Sequence, residues 1–395
     1  MKLVSNHEAC TGCGVCAEVC PFHCIAMKEN DEGFFYPEVN KDQCTGCGLC
    51  GKKCHLNHRG RFAEGKAYAV ISRNKEELRR SSSGGVFSVL ARNILDSGGL
   101  VVGCELKDGT YPRHVIIREA ADLDRLRGSK YVESDLLPVL RELAEAAGSG
   151  GKILFSGTGC QIGAVKRLLG ERDNVIYVEI LCHGVPSRLL FRMHNEFVER
   201  TYGAALTDVR FRCKENAPWN RSYRFAYTFS SGKTVEVPAY KDAYYTHFIR
   251  GSIMRPSCYE CAYAGEKRIG DVTLGDYWGV ENHHPELTAK NGVSAVLINS
   301  PAGERLFNEC GEELTVIPTD IAKIAERVYA LKAPIPKPPE RDSMVASIRE
   351  MGYAAWNRSY CHSVLRYKES MKALLKKLLP DKLRIIAARM YYRRD

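Results

Sequence analysis

No stretch of eighteen consecutive apolar residues occurs in this chain. A bilayer-spanning helix needs about twenty, so no such helix is expected. No cationic start followed by an apolar core stands at Met1–Cys10. A secretory leader is therefore not expected, and the reading places the chain in the cytoplasm. Tryptophan is scarce, at three residues. Surplus charge is scarce too, outside one segment. The formal net charge is +10, but the last 38 residues, from Arg358, hold eleven Lys/Arg and three Asp/Glu, or +8, which leaves +2 for the rest. A general nucleic-acid role asks for a broad basic face, so no nucleic-acid partner is expected. Cysteine, by contrast, is abundant, with 17 among 395 residues. In a reducing compartment such thiols serve metals and redox chemistry rather than disulfides.

Eight of these cysteines fall into two runs, Cys10-x2-Cys13-x2-Cys16-x3-Cys20-Pro21 and Cys44-x2-Cys47-x2-Cys50-x3-Cys54. This is the ligand spacing of a bacterial ferredoxin with two cubane clusters. Three thiolates on one tight loop cap three corners of a cluster. The fourth lies past the turn and reaches the other cluster. The expected sets are thus Cys10, Cys13, Cys16 and Cys54 for one 4Fe-4S cluster, and Cys44, Cys47, Cys50 and Cys20 for the second. Gly12, Gly14, Gly46 and Gly48 stand between ligands, where the backbone approaches sulfur and positive φ is common. His55 stands where the second run would usually carry proline, and only a slightly weakened turn is expected from it. A disulfide scaffold needs an oxidising compartment, and zinc sites rarely use two four-cysteine runs of this spacing.

The two halves repeat 34 residues apart, from Cys10 to Cys44. A polar stretch near Leu56–Gly65 then reads as a linker. Strands are expected at Ala67–Ser72, Leu100–Leu106, His114–Arg118, Lys152–Phe155 and Asn174–Leu181, with more in Val209–Val237, Gly292–Asn299 and Leu314–Pro318. Helices are expected from Val86 to Gly98 and at Leu136–Ala147, Gln161–Leu169 and Pro186–Tyr202. Lys152–Leu181 therefore reads as a βαβ unit. Pro334–Pro339 reads as a stiff linker ahead of a basic tail. Val364, Tyr367, Met371, Leu374, Leu375, Leu378 and Leu379 recur there at helical spacing beside Lys372, Lys376 and Lys377. That pattern suits an interfacial helix on anionic lipid, or packing on the protein's own body.

Three motifs in the larger region carry chemistry. Ser82-Ser83-Gly84-Gly85 opens a helix, where free N–H groups favour a phosphate; a plain serine cap is the equal alternative. Arg127-Gly128-Ser129-Lys130-Tyr131-Val132 suits a cofactor with a pyrophosphate and a stackable ring. Cys160 sits at a strand-to-helix turn and Cys182-His183 follows the next strand, so a parallel sheet would bring both thiols to one edge. With Cys258-x2-Cys261 they form a candidate metal or redox site, with a buried or redox-active thiol set as the alternative. Cys24, Cys104, Cys213, Cys310 and Cys361 read as packing residues. His283 and His284 read as a polar loop pair, and Trp219 and Trp278 as core.

Taken together, the cysteine runs, Ser81–Gly85, Gly128–Val132, Gly157–Gln161, Cys182–Ser187, Cys258–Cys261 and Gly270–Gly279 resemble the coenzyme F-420 hydrogenase/dehydrogenase beta subunit family. The resemblance covers about residues 1–320; the tail after Pro339 lies outside it. It implies an α+β architecture, with a small bacterial-ferredoxin-like 4Fe-4S domain at 1–62 and a larger mixed α/β domain binding FAD and iron–sulfur at 63–333; composition adds a Pro-rich linker with a basic helical tail at 334–395. It implies FAD lined by Ser82, Ser83, Gly84, Gly85, Gly128, Ser129 and Lys130. A third cluster on Cys160, Cys182, Cys258 and Cys261 is expected to bridge the module to the flavin, with Lys130 and His183 as the candidate catalytic residues.

The expected activity is that of a flavin-dependent iron–sulfur oxidoreductase. Single electrons from a donor such as a ferredoxin or a hydrogenase/dehydrogenase subunit pass through the clusters to FAD. They leave on a small-molecule substrate or a deazaflavin coenzyme, and many bacterial relatives sit among polysaccharide-biosynthesis proteins. The alternative is a non-catalytic electron-transfer subunit that docks on a separate oxidoreductase. Peripheral contact with the inner membrane surface through the tail is a further expectation.

Overall fold

The computed structural model describes residues 8–361, apart from positions 59, 61, 215–218, 220–222 and 288. The expected lipid-facing helix after Val364 lies outside the described residues. Among the described residues, no helix is long and apolar enough to cross a membrane.

The N-terminal module pairs β1 (Ile25–Glu29) with β2 (Phe35–Val39) antiparallel, Ile25 opposite Val39. Two one-turn helices, Val15–Glu18 and Leu49–Lys52, carry the repeat. Each begins after a left-handed glycine, Gly14 at φ 77° and Gly48 at φ 78°. A side chain there would meet the steric penalty of the left-handed region.

The remaining strands are β3 (Lys66–Ser72), β4 (Leu100–Lys107), β5 (Tyr111–Ile117), β6 (Ile153–Thr158), β7 (Val175–Ile180), β8 (Leu206–Cys213), β9 (Arg224–Phe229), β10 (Thr234–Pro238), β11 (Val272–Asp276), β12 (Ser294–Ile298) and β13 (Leu314–Thr319). Eight of them form one mixed sheet in the order β13-β3-β12-β11-β7-β6-β4-β5. β4, β6, β7 and β11 are parallel along the sheet, and β3 shares their direction because both it and β11 run antiparallel to β12. β8, β9 and β10 form a separate antiparallel sheet.

β6 is buried along nearly its whole length because helices cover both faces. Such strands read as unbroken apolar runs rather than alternating ones. Leu154 packs with the helix Val86–Asp96 on one face; Ile153 and Phe155 pack with the helices Leu140–Gly148 and Gly159–Leu169 on the other. The helix Gly159–Leu169 starts at a capping box in which Thr158 and Gln161 satisfy each other's backbone N–H groups. β11 was not expected from the sequence, since Gly270 and Gly275 interrupt its apolar pattern. The carboxyl ends of five like-directed strands therefore lie along one sheet edge, the usual place for ligands in open α/β sheets.

After the Pro-rich segment the chain returns to the body. The helices Arg341–Met351 and Tyr353–Cys361 bring Met344, Ile348, Tyr353 and Trp356 into the core around β8 and β9. Trp356 is fully buried and its Nε1 donates to the Met344 carbonyl at 2.7 Å. The buried guanidinium of Arg341 pairs with Glu32 of the β1–β2 hairpin and donates to the Met254 carbonyl at 2.8 Å. Trp356→Ala should thus cost about 3–5 kcal/mol. A clear drop in the thermal unfolding midpoint of the full chain is the expected result; an unchanged midpoint would mean that this helix does not belong to the body.

Candidate iron–sulfur and cofactor sites

The module gathers its thiols into two sets. Cys10, Cys13 and Cys16 lie within electrostatic reach of one another and of Cys54. Cys50 lies near Cys47 and Cys20, and Cys24 near Cys20 and Cys44. Cys24 is buried with its sulfur 3.4 Å from that of Cys20; it lines the second set as well as filling core. Burial, then the neighbouring thiols Cys10 and Cys54, pushes Cys16 up to about 12. A dry pocket of thiols disfavours thiolate even with Arg255 beside Cys10, and a cationic cluster core would supply further counter-charge. The second set is the outer one, with Cys47 exposed.

The third set assembles at the sheet edge. Thr158 of β6 lies opposite Ile180 of β7, and Cys160 and Cys182 each stand two residues beyond that pair. Cys258 closes the turn Pro256–Cys258, and Cys261 follows. The four thiols act on one another. Burial, then Cys261, pushes Cys160 up to about 11; burial, then Cys160 and Cys261, pushes Cys182 up to about 12. The hydrogen bonds that Cys160 gains at its helix start, from Thr158 and the Gln161 N–H, lower it but do not overcome burial. Among the described residues, no group of three His, Cys, Asp or Glu is drawn together as one ion would require. A cubane holds its ligands farther apart, at separate corners. A soft, buried four-thiol set fits such a cluster.

Arg255 stands between the first set and the third. Its side chain is 1 % exposed. Nε donates to the Cys10 carbonyl at 2.7 Å and Nη2 to the Phe35 carbonyl at 2.8 Å. Nη1 pairs with Glu133, and the guanidinium lies over the Tyr36 ring, 4.3 Å from its centroid. A second link is His55, which is buried. Its Nε2 lies 3.0 Å from Thr11 Oγ1 and its Nδ1 2.6 Å from the hydroxyl of Tyr263, two residues past Cys261. His55 therefore does more than weaken a turn: it ties the first cysteine loop to the third. Lys53 and Arg167 exchange a third pair of bonds, Lys53 Nζ reaching the Leu168 carbonyl at 3.0 Å and Arg167 Nη2 the Lys52 carbonyl at 2.7 Å.

The serine and glycine motifs also meet. Ser82 Oγ accepts from the Ser129 N–H at 2.8 Å. Ser83 and Gly84 are spoken for by the sheet: Ser83 Oγ donates to the Val293 carbonyl at 2.9 Å and the Gly84 N–H to Ser294 Oγ at 3.0 Å. Gly85, at φ 83°, caps the helix Val86–Asp96. Gly128, at φ 80°, faces open space. Lys130 Nζ donates to the Arg127 carbonyl at 2.7 Å, and burial pulls its ammonium down to about 8. His183 turns its ring to Phe248, centroids 5.2 Å apart, and burial pulls it down as well. Lys130 instead sits in the field of Cys104, Glu105 and Asp208, so the two candidate catalytic residues face different surroundings.

Two groups here, Arg212 and Lys214, escaped the sequence reading. Arg212, its side chain 2 % exposed, pairs with Asp276 at 2.7 Å and donates to the Ser82 carbonyl at 3.3 Å. Lys214 Nζ donates to the carbonyls of Leu78, Ser83 and Asn291 at 2.7, 2.9 and 2.7 Å, and burial, then Arg212, pulls it down to about 7. Trp219 and Trp278 stack at 4.4 Å and 7°, with Arg212 5.3 Å from the Trp278 ring. Among the described residues, Arg212 Nε and Trp219 Nε1 are buried without a hydrogen-bond partner. Ser82, Ser83, Asp276 and Trp278 lay inside motifs, but Arg212 and Lys214 did not, and their partners are distant in sequence.

Family models match most of the chain from residue 9 to residue 322. The family model described as coenzyme F420 hydrogenase/dehydrogenase, beta subunit N-term, matches residues 67–141, its C-terminal counterpart matches 150–322, and a 4Fe-4S dicluster domain matches 9–57. A subunit of the F(420)H(2) dehydrogenase of Methanosarcina mazei is 24 % identical over 330 residues, covering 80 % of this chain and 86 % of that protein. A chain of the F420-reducing NiFe hydrogenase complex of Methanosarcina barkeri superposes with a TM-score of 0.47 at 16 % identity, over 73 % of this chain and 92 % of that one.

A Cβ at Gly84 would meet the Val70 carbonyl oxygen at 2.3 Å and the Ser294 nitrogen at 2.7 Å. Gly84→Ala should accordingly cost about 1–3 kcal/mol through backbone overpacking. Chemical denaturation of the full chain, stripped of cofactors, should show the loss. No loss would mean that the glycine serves a ligand rather than the sheet.

Proposed function

The chain belongs to the coenzyme F420 hydrogenase/dehydrogenase beta-subunit family and carries a 4Fe-4S dicluster domain; on that premise we propose that it is an electron-transfer subunit of a larger oxidoreductase. It connects one-electron chemistry in its clusters with a deazaflavin-type coenzyme. The ligand sets are Cys10, Cys13, Cys16 and Cys54; Cys20, Cys44, Cys47 and Cys50; and, in the body, Cys160, Cys182, Cys258 and Cys261. The observation that carries this reading is their arrangement. The outer set reaches the surface, and the first set meets the third across Arg255.

Beyond the third set, a continuous packed path leads on. Cys258 and Tyr259 pack with Phe248 and Tyr131. The rings of Tyr131 and Phe248 stack at 4.4 Å. The Tyr131 hydroxyl accepts from Arg212 at 3.1 Å, beside the Ser82–Ser129 junction. This junction is the proposed FAD site, held by Ser82, Gly85, Gly128 and Ser129. Arg212 Nε and Trp219 Nε1, without a partner among the described residues, fit a ligand with acceptor atoms and a flat ring. A flavin supplies the exchange between hydride and single electrons that clusters alone cannot perform. The protein's part is to orient the ring, hold counter-charge at Arg212 and Lys214, and present Lys130, whose lowered ammonium can release a proton near neutral pH.

The alternative of a free-standing flavin enzyme acting in polysaccharide biosynthesis ranks behind. The named relative is one subunit of a dehydrogenase, which favours work alongside partner chains.

Anaerobic analysis of the full chain should give about twelve iron and twelve sulfide. Cys258→Ser should lower both by about four and leave the module's signals intact. A wild-type value of about eight would remove the body cluster. Acid release should yield FAD, lost on Arg212→Met; release of no flavin from the reconstituted protein would remove the cofactor site.

A further inference from the structure

A full positive charge buried as deeply as Arg255 is expensive unless something uses it. Two buried guanidiniums here face one buried carboxylate and one that is partly exposed. Arg255 and Arg188, with side chains 1 % and 3 % exposed, share the buried carboxylate of Glu133; Arg188 adds only Asp135 at 3.6 Å, a side chain 24 % exposed. Arg255 acts on Cys10 of the first set and on Cys258 and Cys160 of the third. The groups acting on Cys20, Cys24 and Cys50 of the outer region are backbone amides and neighbouring thiols instead. The charge therefore acts on the inner two sets and is not among the main influences on Cys20 and Cys50 of the outer one.

Reduction adds one negative charge to a cluster. A fixed cation beside it stabilises the reduced form and raises its potential, by the charge and hydrogen-bond effects that set iron–sulfur potentials in general. Guanidinium suits the task because it stays protonated at any working pH.

We infer that Arg255 sets a potential step inside the chain, lifting the first and third clusters relative to the outer one. An electron arriving from a one-electron donor protein reduces the outer cluster. It then oxidises that cluster on leaving and reduces the first, and next the third. No bond or proton moves in these transfers, and the buried charge makes the step from the outer cluster to the inner pair downhill. The inference rests on the cluster assignments proposed above.

The test is potentiometric titration of the full-length reconstituted protein followed by EPR, with Arg255→Gln, Glu133→Gln and Arg255→Lys. Arg255→Gln should move the inner transitions to lower potential and leave the outer one in place. Glu133→Gln should move the same transitions upward, since it removes the counter-charge. Arg255→Lys should stay near wild type. Opposite displacements are a signature that a purely structural role does not produce. Shifts of one sign in both Gln variants, or equal displacement of all transitions, would overturn the inference. If Arg255→Gln fails to retain iron, Glu133→Gln decides: an upward shift of the inner clusters supports the step, and unchanged potentials end it. If wild-type protein holds only about eight irons, the body cluster is wrong; the same variants then still decide the inference on the first cluster against the outer one.

Discussion

The buried guanidinium of Arg255 is the constraint around which the molecule is organised. A charge removed from water must find its partners inside the protein, and losing one from a buried pair typically costs about 3–5 kcal/mol. Arg255 finds them on two sides of a seam: Cys10, Phe35 and the Tyr36 ring on the module, Glu133 on the body. Satisfying the charge therefore fixes how the ferredoxin module sits. His55 with Tyr263, Lys53 with Arg167, and Arg341 with Glu32 repeat the arrangement at other points of the seam. Each link is polar and directional, so the module is held in register as well as in contact.

What the seam aligns is set by sheet topology. β3, β6, β7 and β11 end at one edge, and each delivers part of the proposed site: the Ser82 loop after β3, Cys160 after β6, Cys182 after β7, and Asp276 at the end of β11. Thiols belong next to the seam because Cys258 follows Arg255 by three residues. Aromatic side chains lie behind them, where Tyr131 and Phe248 exclude water between the thiol set and the Arg212 junction. Water exclusion strengthens every charge effect along this path.

The parts of this that were legible in the sequence are the parts encoded locally. Cluster spacing is local, because one loop must wrap three corners of a cubane. The edge placement of Cys160 and Cys182 is local too, since strand, turn and helix signals in Lys152–Leu181 specify a βαβ unit. Long-range pairing is not. Arg255 and Cys10 are separated by 245 positions and His55 and Tyr263 by 208, and no spacing rule announces either pair. The helices after Pro334 were hidden by composition: the prolines of Pro334–Pro339 read as a linker, while Trp356 fills a core built by β8 and β9. Ser83 and Gly84 looked like a phosphate loop for the same reason of locality; the sheet contacts that claim them come from Val293 and Ser294.

The central claim is a continuous line of redox centres from the exposed outer cluster to the Arg212 junction. Anaerobic coulometric titration of the full-length protein with dithionite counts the electrons such a line stores. One for each of three clusters and two for a flavin predict about five electrons per chain. An uptake of about two, the capacity of the ferredoxin module alone, would contradict the account.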